Sequence, residues 1–260
     1  MSIFKAFLIA ISMYSRIPVP QKFIVWNEKN MKYSICFLPV IGAVIGAALI
    51  LWYHLCGYLG LGNIVFAAIA TAIPILITGG IHMDGYCDTV DALSSYQPTE
   101  RKLEILKDPN AGAFAVIKAC IYYILYFAFM TRISYNGIVI ISVGFIISRT
   151  LSGLAVVNFK SAKGSGLAAT FKEAAHKRIV TVILLFVFVS CVTCLYVFFD
   201  IYSASAAVIS ACCVFLYYRF MAYKQFGGIT GDIAGYFLVL CELWMTVGIV
   251  FMEGLMKLWN

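Results

Sequence analysis

Six of the twelve acidic residues lie between positions 84 and 108, within 25 residues of chain. Asp84, Asp88 and Asp91 have the spacing i, i+4 and i+7, so on an α-helix they share one face. Like charges at this spacing destabilise a helix by about a few tenths of a kcal/mol per pair, and a bound cation removes that cost. Carboxylate oxygens suit Mg²⁺, which commonly bridges carboxylates to substrate phosphates. The spacing therefore predicts a Mg²⁺ site in which these aspartates are metal ligands and catalytic residues, with a solvated acidic helix as the alternative.

Two further residues are candidates for the same site. His82 lies two residues before Asp84 and could act as general base or donate to a phosphate, although a histidine at a helix end at the membrane interface is an alternative. Asp232 lies in the glycine-rich segment GGITGDIAG, just before the last apolar run. It could complete the metal shell, and the alternative is an aspartate that caps the last helix.

Basic residues are candidates for holding phosphate groups. The segment 158–178 has five Lys or Arg residues and Glu173 as its only acid, and it contains a KGSG turn that begins at Lys163. Backbone amides of glycine-rich turns, together with lysines, bind phosphate oxygens, so Lys163 is a candidate substrate ligand. A basic loop that faces anionic lipid has the same composition and is the alternative.

Arg149 and Glu242 lie within long apolar runs. Ionised side chains are costly at membrane depth, so each is a functional candidate for which a partner is expected. Arg149 is a candidate substrate contact. A buried ion pair between the two residues is the structural alternative.

The composition determines which class of protein must position these groups. Hydrophobic residues make up 63% of the chain, charged residues make up 12%, and the mean hydropathy is +0.94. These values exclude a soluble globular protein and a disordered one. The nine cysteines lie mostly in apolar runs, which indicates neither a disulfide framework nor a zinc site.

Seven apolar runs are long enough to cross a bilayer, which takes about 20 residues. They are 34–53, 61–81, 112–131, 136–157, 179–199, 202–221 and 233–256. The opening segment, 3–14, is shorter and is followed by Arg16, Pro18 and Pro20, which favours an interfacial or re-entrant helix. The sequence therefore predicts an all-α, polytopic integral membrane protein with about seven transmembrane helices, forming a single domain over residues 1–260.

The basic residues also predict the orientation. Of the 19 Lys and Arg residues, 15 fall on the face that carries the long loops, and two, Arg132 and Lys257, fall on the opposite face. Positive residues are retained on the cytoplasmic side, so the long loops are expected in the cytoplasm. The net charge of +7 is thereby explained without nucleic-acid binding.

Five motifs spread over the chain resemble those of the cobalamin synthases, also called adenosylcobinamide-GDP ribazoletransferases. They are SRIPVP at 15–20, FLPVIGAVIG at 37–46, GGIHMDGYCDTVDAL at 79–93, RKLEILKDPNAGAFAV at 101–116 and GGITGDIAG at 227–235. Tyr86 and Cys87 depart mildly from the family pattern, and no carboxylate is lost.

The resemblance implies a Mg²⁺-dependent membrane transferase that joins adenosylcobinamide-GDP to α-ribazole or its 5′-phosphate and releases GMP. Asp84, Asp88 and Asp91 would hold the metal, and His82 or one of these aspartates would be the base. The resemblance also implies that three further motif residues bind or orient phosphate; these are Arg101, Lys107 and Asp108.

Two other functions remain open at this point. A membrane phosphotransferase with a lipid acceptor, of the CDP-alcohol type, would use paired aspartates at the cytoplasmic edge in a similar way. A cation or solute transporter is disfavoured because the acids cluster at one face, whereas transporter sites usually lie near the bilayer midplane. The expected partners are small-molecule substrates and the lipid bilayer; a complex with other nucleotide-loop enzymes and a homo-oligomer are left open.

Overall fold

The chain folds into α-helices in a computed structural model that describes residues 2–162 and 167–259. The helices in this part of the chain are α1 (Ser2–Tyr14), α2 (Glu28–Met31), α3 (Leu38–Tyr58), α4 (Asn63–Thr78), α5 (Ile81–Ser94), α6 (Thr99–Ile105), α7 (Ala113–Met130), α8 (Tyr135–Asn158), α9 (Leu167–Ala174), α10 (Lys177–Phe198), α11 (Ile201–Phe226) and α12 (Gly231–Trp259). Two 3₁₀ turns, Gln21–Phe23 and Ser34–Phe37, precede α3. Within the described residues the only β-type pairing is an isolated bridge between Ser161 and Ile229.

Six helices of the described chain are long and apolar enough to cross a membrane, and a bent pair of helices makes a seventh span if it is counted as one. The six are the segment Glu28–Tyr58, which ends with α3, and the helices α7, α8, α10, α11 and α12. The bent pair is α4 with α5. The prediction of an all-α, multi-pass membrane protein is therefore confirmed. Helix α1 has 13 residues, too few to span, as the sequence predicted.

Helix α8 lies at the centre of the bundle and packs against α3, α10, α11 and α12. The close contact with α3 depends on two glycines of the sequence pattern GxxxG. A Cβ atom on Gly42 would overlap the carbonyl oxygen of Phe145, and one on Gly46 would lie 2.7 Å from that of Ser142. Small residues at this spacing let two helix backbones touch, as they commonly do in membranes.

A sharp bend separates α4 from α5. Gly79 and Gly80 have φ angles of +69° and +85°, which side-chain-bearing residues rarely adopt. The two left-handed residues end α4 and turn the chain by 94° into α5. The acidic segment 84–108 is therefore not one loop. It is divided between α5, which lies at an angle to α4, and the short helix α6.

Candidate active site

Helix α5 lies against the first turns of α12 because two glycines remove side chains from the contact. A Cβ atom on Gly85 would lie 2.7 Å from the carbonyl oxygen of Asp232, and one on Gly235 would lie 2.9 Å from that of His82. Real Cβ contacts are longer than this, so only glycine fits without a shift at either position. The contact brings Asp232 to the acidic face of α5, although the two residues are far apart in sequence.

Asp88 is the half-buried centre of this group of carboxylates. Burial raises its pKa most, and the charges of Asp84, Asp232, Asp91 and Asp108 raise it further, to about 7. Each of these effects disfavours the ionised form of a carboxyl group. The four neighbouring carboxylates thus place negative charge around Asp88 that a cation would neutralise.

Asp91 ties α5 to the start of α7. Its Oδ2 accepts the backbone N–H of Gly112 at 2.5 Å, and its Oδ1 accepts that of Ala115 at 2.9 Å. Backbone N–H groups in the first turn of a helix have no partner within the helix, so this carboxylate caps α7. Its role as a metal ligand remains a prediction, and the structure adds a positioning role that the spacing did not indicate.

Three of the acids line one cavity of about 250 Å³, which we call the acidic compartment; its polar lining consists of Asp88, Asp91, Ser94, Ser95, Asp108 and Asn110. The Asp108 carboxylate accepts both the backbone N–H and the side-chain amide of Asn110, each at 2.9 Å. These two hydrogen bonds lower the pKa of Asp108, which favours its ionised form. The cavity therefore joins the DGYCDTVD motif to the KDPNAG motif.

Three other predicted site residues, Asp84, Arg101 and Lys107, do not line this cavity. Asp84 is exposed one turn before Asp88, and Lys107 is exposed beyond α6. Arg101 is exposed and forms an ion pair of 2.6 Å with Glu104. Lys163 lies outside the described residues.

His82 is placed differently from the aspartates. Its ring nitrogen Nε2 is buried and has no hydrogen-bond partner in the described part of the chain. The ring is not part of the lining of the acidic compartment. A substrate hydroxyl in that compartment therefore meets the aspartates of α5 before it meets His82.

Arg149 and Glu242 form a buried ion pair between α8 and α12, with side chains only 1% and 5% exposed. Nη1 of Arg149 also donates to Oγ of Ser148 at 3.0 Å. The two residues are thus each other's partners, and the buried ion pair considered as an alternative in the sequence analysis is present. Any contact of Arg149 with substrate remains a prediction.

The carboxylates suit Mg²⁺ in donor type and in charge. Asp84, Asp88, Asp91 and Asp232 would supply hard oxygen ligands. Burial and the negative charges of the other three raise the pKa of Asp88. Within residues 2–162 and 167–259, no three His, Cys, Asp or Glu side chains have the arrangement of a complete metal site. Mg²⁺ usually keeps several waters and takes one or two carboxylates, so a complete cage of protein ligands is not required.

Comparison with known proteins identifies relatives along nearly the whole chain. The profile of the cobalamin-5-phosphate synthase family matches residues 6–250. An adenosylcobinamide-GDP ribazoletransferase of Lachnoclostridium phytofermentans is 51% identical over 246 residues, covering 95% of this chain and 93% of the relative. Relatives of the same name from Clostridium botulinum and Treponema denticola are 32% and 34% identical and cover 93% and 92% of this chain and 95% of each relative. No solved structure matches the chain.

Proposed function

The chain belongs to the cobalamin-5-phosphate synthase family, and on that premise we propose that it is a Mg²⁺-dependent adenosylcobinamide-GDP ribazoletransferase. It joins adenosylcobinamide-GDP to α-ribazole or to α-ribazole 5′-phosphate and releases GMP. The observation that supports this chemistry best is the acidic compartment, where Asp88, Asp91 and Asp108 line one cavity. A pyrophosphate substrate requires such a site, because its oxygens reach carboxylates favourably only through a cation.

The reaction forms one phosphorus–oxygen bond and breaks another. A ribose hydroxyl of the acceptor attacks the phosphorus nearer cobinamide, the bond from that phosphorus to the bridging oxygen breaks, and GMP leaves with the electron pair. Mg²⁺, when bound, neutralises the pyrophosphate oxygens and the charge that develops on the leaving group.

The residues of the chain supply binding, positioning and proton transfer. Asp84, Asp88, Asp91 and Asp232 are the candidate ligands, of which one or two would hold the metal together with water. Asp91 also fixes α7 relative to α5. We assign the hydroxyl proton to an aspartate of α5, because Asp88 lines the compartment and Nε2 of His82 is buried outside it. We propose that Arg101 and Lys107, which precede Asp108 in the same motif, bind or orient the pyrophosphate.

We place this site on the cytoplasmic side of the cell membrane. The unequal distribution of Lys and Arg supports this orientation, since α5, α6 and α9 all lie in segments of the basic face.

Turnover of purified protein in detergent or liposomes tests the proposal. With adenosylcobinamide-GDP, α-ribazole 5′-phosphate and Mg²⁺, we expect corrinoid product and GMP in equal amounts, and neither with chelator. Asp84→Asn and Asp88→Asn should abolish turnover while the protein stays folded. Glu28→Gln, a change at an exposed acid on α2, is the matched control. Full activity in both aspartate variants, or label transferred to lipid instead of a corrinoid, would contradict the assignment.

A further inference from the structure

A second cavity, of about 340 Å³, adjoins the acidic compartment and shares Ser94 with it. We call it the basic compartment; its polar lining includes Ser94, Lys118, Tyr217, Lys224, Gln225 and Tyr236. Its walls come from α5, α7, α11 and α12, whereas the acidic compartment is built from α5, α6 and the start of α7. The two cavities are therefore neighbours that share α5 and α7 and differ in their remaining walls.

The charge of the basic compartment is opposite to that of its neighbour. Two lysines line it and no Asp or Glu does. Lys118 and Lys224 are exposed, and in the described part of the chain neither ammonium group has an ion pair. The Lys224 ammonium lies 5.4 Å from the ring centre of Phe220, which leaves its hydrogen-bond donors available. An anion would meet two uncompensated positive charges here.

Gln225 adds an oriented donor. Lys102, which is only 7% exposed, donates from Nζ to Oε1 of Gln225 at 2.5 Å. Thr99 also holds this residue, because its hydroxyl donates to the backbone carbonyl of Gln225 at 3.3 Å. The carbonyl end of the side-chain amide is thus occupied, and the NH₂ end remains available to an acceptor.

Aromatic rings form another part of the lining. The hydroxyls of Tyr217 and Tyr236 are 3.2 Å apart and hydrogen-bonded. The ring of Tyr236 stacks on that of Tyr86, with centres 5.5 Å apart and planes 14° apart. Tyr86 lies on α5 between Asp84 and Asp88, so this wall is connected directly to the acidic face.

We propose that the basic compartment binds a phosphate monoester, separately from the pyrophosphate that the acidic compartment takes. A monoester carries about two negative charges at neutral pH and presents three acceptor oxygens, which match two lysines and an amide donor. The inference rests on the proposed function, in which two ligands carry such a group. These are the 5′-phosphate of the acceptor and the phosphate of the GMP product.

A competing explanation concerns Lys118 alone. It lies in the second turn of the spanning helix α7, where a lysine often extends its ammonium toward the membrane surface. Such a lysine has no ligand, and its neutralisation would change no kinetic constant. Lys224 lies on a different helix, at the end of α11, so substituting it separately distinguishes the two explanations.

Steady-state kinetics of Lys118→Gln, Lys224→Gln and the double variant test the proposal. Three constants are measured: KM for α-ribazole 5′-phosphate, KM for unphosphorylated α-ribazole, and the inhibition constant of GMP. Lys257→Gln is the control, because this exposed lysine lies near the end of α12, away from both compartments. Lys118→Arg and Lys224→Arg keep the charge and should restore most of the loss.

We expect the double variant to raise one phosphate-dependent constant by about tenfold or more, as loss of charge-assisted hydrogen bonds does. A higher KM for the phosphorylated acceptor alone identifies the acceptor phosphate as the ligand. A higher inhibition constant for GMP alone identifies the product phosphate. No change in any constant, or an equal change in all three, overturns the proposal.

Calorimetric binding of the same compounds separates this inference from the proposed function. If the unaltered protein forms no corrinoid product but binds the monoesters through the lysines, the proposed reaction is contradicted and phosphate binding in the basic compartment is supported. If it forms product and the lysine variants bind both monoesters as tightly as the unaltered protein, the proposed reaction is supported and phosphate binding in the basic compartment is contradicted.

Discussion

Asp91 and Gly112 are joined by a hydrogen bond of 2.5 Å, from the backbone N–H of Gly112 to the Asp91 carboxylate. A Cβ atom on Gly112 would lie 2.8 Å from Oδ1 of Asp91, so the bond exists in this form because residue 112 has no side chain. The link fixes the start of α7 against the acidic face of α5. It therefore couples the aspartate motif to the KDPNAG motif through the backbone.

Gly112→Ala tests this coupling. We expect a loss of stability of about 1–3 kcal/mol, because the added methyl group displaces the carboxylate that caps α7. Gly62→Ala is the matched control: Gly62 precedes α4 as Gly112 precedes α7, but no atom lies within 4 Å of its added Cβ. Thermal unfolding in detergent measures both variants, and equal melting temperatures would contradict the role of Asp91 as a cap.

Gly85→Ala tests the contact between α5 and α12. The methyl group would meet the carbonyl oxygen of Asp232 at 2.7 Å, so the helices must separate and Asp232 must move away from Asp88. We expect turnover to fall at least tenfold, with a stability loss of about 1–3 kcal/mol. Gly254→Ala on α12 meets no atom within 4 Å and should leave turnover unchanged. Wild-type turnover in Gly85→Ala would show that Asp232 need not lie near α5.

The Arg149–Glu242 pair allows structural and substrate roles to be separated. Removing one partner, as in Arg149→Met or Glu242→Leu, leaves a buried charge and should cost about 3–5 kcal/mol. The double variant buries no charge and should recover most of that stability. Its turnover then decides the role of Arg149: activity near that of the unaltered protein indicates a structural pair, and an inactive but stable protein indicates a substrate contact.

The pKa of Asp88 predicts how pH affects the metal-free protein. The pKa is raised from its ordinary value of 3.8 to about 7 by burial and by the neighbouring carboxylates. The folded state therefore binds more protons than the unfolded state between these values, and stability is lost as the pH rises through about 7. In chelator, we expect the melting temperature of the unaltered protein to fall from pH 5 to pH 8 relative to that of Asp88→Asn. Parallel melting curves for the two proteins over this range would contradict the prediction.

The spans could be predicted from sequence because bilayer thickness fixes the length of an apolar run, and α7, α8 and α10 begin and end close to the predicted positions. The bend at Gly79 and Gly80 could not, since hydropathy carries no information on φ. The spacing of the aspartates indicated a shared helix face, but it could not show that Asp91 is occupied by the start of α7.

The basic compartment could not be predicted from the sequence either. Lys118 and Lys224 are far apart in the chain, and only the packing of α5, α7, α11 and α12 places them on one cavity. By hydropathy, Lys118 is only a charge within the apolar run 112–131. Arg149 and Glu242, in contrast, were recognisable as partners because two opposite charges at membrane depth have few other ways to be neutralised.

The 94° bend after α4 has a consequence for how the protein is made. With 16 residues, α4 is about 24 Å long, shorter than the hydrocarbon layer of about 30 Å. By itself, α4 is thus a weak signal for membrane insertion, and its insertion depends on the preceding helix, α3. Nε1 of Trp52 on α3 donates to the carbonyl oxygen of Phe66 on α4 at 3.0 Å, and a short turn joins the two helices. During synthesis, α3 and α4 should therefore enter the bilayer as a hairpin. Helix α5, with its aspartates, is then left at the membrane surface.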